Sequence, residues 1–130
     1  MNKLMRNFLL ILFVLIFTYL SVPAFADQGA LKFPVRDDSN ASAQKYNEEG
    51  IFHYNQGHYD IALKHFQKAS KVDSRVGESH YNEALCLDKL GKHGEATNHF
   101  YAARKYAKGN PAILGSNILN AHAPIKREGS

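Results

Sequence analysis

Apolar residues fall into three regimes along this chain. From Phe8 to Phe17 every residue is apolar, behind a start that carries Lys3 and Arg6. Residues 27–40 show no helical period, and Gly29 and Pro34 would break a helix there. From residue 41 onward, apolar positions recur at the spacing of helices that bury one face. The spacing predicts helices over 41–55, 59–72, 75–89, 93–106 and 111–121. Ile61, Ala62, Phe66 and Ala69 form the inward stripe of the second. Tyr81, Ala84, Leu85 and Leu87 are the apolar positions of the third, and Ile113, Leu114, Ile118 and Leu119 those of the fifth. Punctuation agrees. Ser39 or Asn40 offers the first N-cap, Gly57 and Gly91 make turns, Asp73-Ser74 separates two units and can cap the third helix, and Asn110-Pro111 opens the last helix.

Two of these stretches repeat. Gly57, Ala62, Phe66 and Ala69 recur 34 residues later as Gly91, Ala96, Phe100 and Ala103. A period of this length with small residues and one large aromatic at fixed offsets marks a helix–turn–helix solenoid, whose units stack because none can bury its apolar face alone. The expected fold is all-α: two helical hairpins plus a closing helix. The chain then divides into a signal peptide (1–26), a flexible or loosely docked leader (27–40), repeat one (41–74), repeat two (75–110), a capping helix (111–123) and a polar tail (124–130). A stacked helical array offers a surface rather than a catalytic pocket, so the expectation is a binding module and not an enzyme.

The first regime changes the picture of location. A basic start, a short apolar run and the ending Ser21-Val22-Pro23-Ala24-Phe25-Ala26 have the form of a secretory signal with cleavage after Ala26. The run is shorter than the roughly 18 to 20 residues of a spanning helix. The expectation is an exported protein, periplasmic or secreted, with no stable membrane span after cleavage. Lys3 and Arg6 would leave with the signal and no acidic residue would, taking the formal net charge from +4 to +2. That is too weak a charge to argue for nucleic acid. Cys86 is the only cysteine, so no internal disulfide can form.

Residues 43–110 resemble two tandem tetratricopeptide repeats, with Pro111 to Ala121 similar to the usual closing helix. The matching residues are Gly50, Gly57, Tyr59, Ala62, Phe66 and Ala69, then Ala84, Gly91, Ala96, Phe100 and Ala103. The chain departs from the pattern at Tyr46 and His80, where Trp is frequent, at Glu49 and Glu83 for Leu, at His53 and Leu87 for Tyr, and at Ser74 and Lys108 for the closing Pro. The resemblance implies a concave groove lined by the first helix of each hairpin, which takes a peptide or partner protein. Carried onto this sequence, that groove presents Gln44, Asn47, Ile51, Tyr54 and Asn55, then Glu78, Tyr81, Leu85, Asp88 and Lys89, with Gly115, Leu119 and His122 from the cap. Tyr54 and Tyr81 are the expected anchors, because rigid amphipathic aromatics dominate interfaces. Two repeats are fewer than the three or so that stand alone, which adds self-association through exposed repeat ends as the alternative function.

Little else carries chemistry. Seven histidines invite a metal hypothesis. His65 and His99 hold equivalent places, but no His-x-x-x-His pair shares a helix and no Cys or paired carboxylate completes a set, so they read as structural or surface residues. No cofactor is expected. Lys64, Lys68 and Lys71 share one face of the second helix, and Arg104, Lys105 and Lys108 end the fourth, where positive charge suits the helix dipole. Both groups read as solvated. Cys86, between Leu85 and Leu87, reads as a buried small hydrophobe.

Overall fold

The structure is a computed structural model that describes residues 2–3, 29–34 and 40–126. The expected signal segment beyond Lys3, its cleavage site, residues 35–39 and the end of the tail lie outside the described residues. Among the described residues from 40 onward, six helices follow in order: α1 (Ala41–Asn55), α2 (Tyr59–Val72), α3 (Gly77–Lys89), α4 (His93–Tyr106), α5 (Pro111–Leu114) and α6 (Asn117–His122). There are no strands among the described residues, and the fold is all-α. None of the described helices is long and apolar enough to cross a membrane.

The helices pack as two hairpins, α1 with α2 and α3 with α4, joined where α2 meets α3. Both hairpin turns use the same device. Gly57 and Gly91 adopt φ of 77° and 76°, a left-handed conformation that costs glycine little and other residues more. Each turn glycine donates its N–H back to a carbonyl of the helix end, Tyr54 for the first and Asp88 for the second. Inside the hairpins the small residues mark close approach. Ala62, Ala69, Ala96 and Ala103 are fully buried. At Gly50 a Cβ would stand 2.4 Å from a ring carbon of Phe66, so the Phe66 ring occupies the space that a side chain would need.

The most enclosed element is α3. From Gly77 to Leu87 every residue except His80 is buried. A helix covered on several sides needs no amphipathic stripe, which is why its sequence carries Glu78, Ser79, Asn82 and Glu83 in the interior. Buried polar groups require partners. Glu78 Oε1 accepts from the Asn110 side chain at 2.7 Å, and Asn82 is satisfied by groups described below. The larger core gathers Tyr81, Leu85, Leu87, Ala96, Phe100, Ala107, Ile113 and Leu119. A smaller one holds Ala62, Phe66 and Cys86, with Tyr54 and Leu63 bordering both. Burial first, and the charge of Glu83 second, push the Cys86 thiol up to about 12, so it stays protonated. The inert role expected of this cysteine fits that environment.

Two expectations need correction. The third helix starts at Gly77, not Arg75, and its N-cap position is Val76, without a side-chain cap. Asp73 instead accepts from the Arg75 N–H two residues on, holding the connection in a turn. The single closing helix is two short ones. Ser116 takes an extended conformation, accepts from the Leu119 N–H at 3.3 Å and shares a hydrogen bond of 2.9 Å with the Tyr81 hydroxyl, so the chain stops and restarts there. Of the expected flexible or loosely docked leader, residues 29–34 are described, and there Leu31 is hydrogen-bonded and packs against the larger core. Asn40 caps α1 as expected, accepting from the Ser42 N–H at 2.9 Å.

Candidate functional site

The inner face of α1 and α3 is occupied by the chain's own residues 30–33. Two asparagines hold this segment by its backbone. Asn82 Oδ1 accepts from the Leu31 N–H at 2.7 Å. Asn82 Nδ2 donates to the Leu31 carbonyl at 2.8 Å, and Asn47 Nδ2 donates to the same carbonyl at 3.0 Å. The two side chains are tied to each other, with Asn82 Nδ2 donating to Asn47 Oδ1 at 2.8 Å. Both asparagines are buried, at 1% exposure or less. The contacts use the donor and the acceptor of one residue together and involve none of its side-chain atoms. Leu31 packs on the larger core, and Ala30 packs on the smaller core together with Ile51 and Tyr54. Beyond them Lys32, Phe33, Gln44, Asn47 and Glu48 line a shallow cavity of about 120 Å³.

The expected groove residues therefore separate into three groups. Gln44, Asn47, Ile51 and Tyr54 lie beside the chain's own residues 30–33. Tyr54 is half-buried and meets Tyr59 edge-to-face at 5.2 Å. Asn55 and Lys89 are exposed at helix ends. Glu78, Tyr81 and Leu85 are core residues. Tyr81 in particular is fully buried, edge-to-face on Phe100 at 5.9 Å, with its hydroxyl on Ser116. The reading of Tyr81 as an exposed anchor is corrected: Ile113 of α5 and Leu119 of α6 join it in one buried cluster. Leu119 is buried for the same reason, while Gly115 stays exposed.

Asp88 belongs to a hydrogen-bonded cluster at the far end. Its Oδ1 accepts from His93 Nδ1 at 2.7 Å and from His122 Nε2 at 3.0 Å, and His122 Nδ1 meets the Thr97 hydroxyl at 3.0 Å. Arg104 closes the same region, donating to Asn120 Oδ1 at 2.7 Å and to the Ala123 carbonyl at 2.6 Å, so it is a staple for the closing helices rather than a solvated charge. Lys64, Lys68 and Lys71 are exposed as expected.

Asn82 and Leu31 were missed from sequence. The 34-residue register that places Asn47 in the groove points to Tyr81 as its counterpart, and Asn82 is one position further on. An asparagine in the middle of a helix, where its propensity is poor, is the signal that would have found it.

No family model matches the chain. It is 31% identical over 65 residues to Uncharacterized protein MJ0572 of Methanocaldococcus jannaschii, a match that covers 50% of this chain and 76% of the relative.

Proposed function

We propose that this chain, which belongs to the same family as that archaeal protein, is an exported protein-interaction module of tetratricopeptide type, a scaffold or adaptor whose groove takes an extended peptide segment of a partner. The observation that carries this reading is the grip of Asn47 and Asn82 on the Leu31 backbone. A buried pair of amides that satisfies both the N–H and the C=O of one residue can serve as a peptide-binding device. An apolar side chain beside it supplies selectivity, as in other recognition modes that read main chain first and side chains second. The resident segment is then a stand-in for the partner. It lowers apparent affinity by the fraction of time it holds the groove.

The test uses the full chain with Leu31→Asp, which puts an unpaired charge where an apolar side chain packs and so releases the segment. A fluorescent peptide with the sequence of residues 29–34 is titrated against it and read by anisotropy. Binding by the opened chain at least tenfold tighter than by the wild type supports the reading. Equal, weak binding by both chains, with α-helical circular dichroism retained, overturns it.

A second reading, end-to-end self-association, draws on Phe52, which is 60% exposed on the first hairpin. Concentration-dependent species in size exclusion that disappear with Phe52→Ser would favour it over the adaptor.

A further inference from the structure

We propose that His80, Glu83 and His99 form a binding site for a divalent transition metal of the zinc class, bridging α3 and α4. The three side chains offer ligand atoms that all lie within 4.8 Å of one another. His80 and Glu83 are three apart on α3 and so share a face. His99 reaches them from α4. His80 Nδ1 and His99 Nδ1 are 3.4 Å apart, and His99 Nδ1 is 3.6 Å from Glu83 Oε2. Ligands 2.0 to 2.2 Å from a tetrahedral zinc are separated by about 3.3 to 3.6 Å. A direct hydrogen bond between such atoms closes to about 2.7 to 3.2 Å. The observed spacing has the width of a coordination edge.

The protons point the same way. Nε2 of His80 lies 2.8 Å from the Ser74 carbonyl, which can only accept, so this nitrogen carries the hydrogen. In the neutral ring Nδ1 is then a bare lone pair facing the cluster. A backbone carbonyl that fixes the tautomer of a ligating imidazole is the usual outer support of a metal site. Glu83 is 3% exposed, and its Oε1 is buried with no hydrogen-bond partner. A buried carboxylate with an orphaned oxygen beside a bare imidazole nitrogen is costly as it stands. A cation removes that cost by taking all three groups at once. Two imidazoles and one carboxylate form the donor set of zinc sites that keep a position open. His99 is about a third exposed, which leaves room for a water as fourth ligand.

The other histidine–carboxylate cluster provides the contrast. Asp88, His93 and His122 also converge, but at 2.7 and 3.0 Å, with a further hydrogen bond between His122 and Thr97. Those atoms are already satisfied by one another, and His93 is 67% exposed. It is a hydrogen-bonded cluster, not a waiting site.

The test uses the full chain, purified without a histidine tag and stripped with chelator, titrated with zinc chloride by calorimetry. The expected result is one zinc per chain, with affinity reduced at least tenfold by His80→Gln, by His99→Gln or by Glu83→Gln, and unchanged by His93→Gln with His122→Gln. No saturable zinc binding by the wild type, undiminished binding in the first three variants, or loss confined to the last pair would overturn the assignment. A measurement on the wild type alone guards against variants that fold poorly. Zinc should protect His80 and His99 from diethyl pyrocarbonate, mapped by mass spectrometry. Equal modification with and without zinc, or protection at His93 and His122 only, sinks the proposal.

Discussion

In the first hairpin Glu49 reaches His65 at 3.0 Å, with Glu49 39% exposed; in the second, 34 residues on, Glu83 is 3% exposed and stands 3.6 Å from His99. The sequence writes the same pair twice, and the surroundings make two different objects of it. The first pair closes on itself near solvent, where such a contact contributes little. The second is enclosed because α3 is covered on several sides, while α1 keeps an open outer face that exposes Phe52. The third partner differs too. Tyr46 stands at the place of His80, its ring facing Lys68 at 5.6 Å. A repeat therefore fixes where side chains meet, and position in the stack decides what the meeting is worth.

The strongest way to break this comparison is through the two aromatics that fill the hairpins. Phe66 and Phe100 are both fully buried, but Phe100 belongs to the larger cluster. Phe66→Ala and Phe100→Ala should each cost about 3 to 5 kcal/mol in urea unfolding, with Phe100→Ala the costlier. Equal losses would mean that both hairpins share one evenly loaded core.

How far the molecule was legible from sequence follows the same line. The four long helices were readable, three of them to the residue, because their turn glycines and small–large stripes are local signals. The burial of Tyr81 was not, because it depends on Ser116 ending one short helix and opening the next, and on the Asn110 side chain reaching back to Glu78. Those are contacts over more than thirty residues, invisible to any periodicity. The grip on Leu31 was not readable, because it joins backbone groups to asparagines 16 and 51 residues away. The His80, Glu83 and His99 cluster was missed because helical spacing was searched within single helices, while this set spans two. The repeat itself held the clue, since residues 46, 49 and 65 shifted by 34 give 80, 83 and 99.

Cys86 offers a gentler probe, because it links the two hairpins by packing with Phe66 while sitting on α3. Its thiol is raised from 9.0 to about 12 in the folded chain, so folding favours the protonated form. That contribution is whole below pH 9 and is lost as pH rises through the interval to about 12. Between those limits the wild type should lose up to about 1.4 kcal/mol per pH unit more than Cys86→Ala, measured by denaturant unfolding at successive pH values. Parallel pH profiles for the two chains would show a thiol that reaches solvent, and a looser joint between the hairpins than the structure has.

The smallest change sharpens the comparison most directly. Tyr46→His supplies the first hairpin with the imidazole it lacks, at little cost in stability for a half-buried ring. Zinc stoichiometry by native mass spectrometry should rise from one to two, with the second ion bound more weakly because Glu49 and His65 are more open to water. A stoichiometry that stays at one would show that enclosure, and not donor identity, governs the second hairpin's cluster.

The asparagine grip on Leu31 also sets an order of events. Asn47 lies 16 residues from Leu31 and Asn82 lies 51 away, while the two asparagines are 35 apart. Each hairpin can close through contacts between neighbours in sequence, which form fast. The place for Leu31 exists only once α1 and α3 lie side by side and their amides have met. Docking of the leader therefore depends on both hairpins at once, and protection of the Leu31 amide proton from exchange reports how long their joint holds.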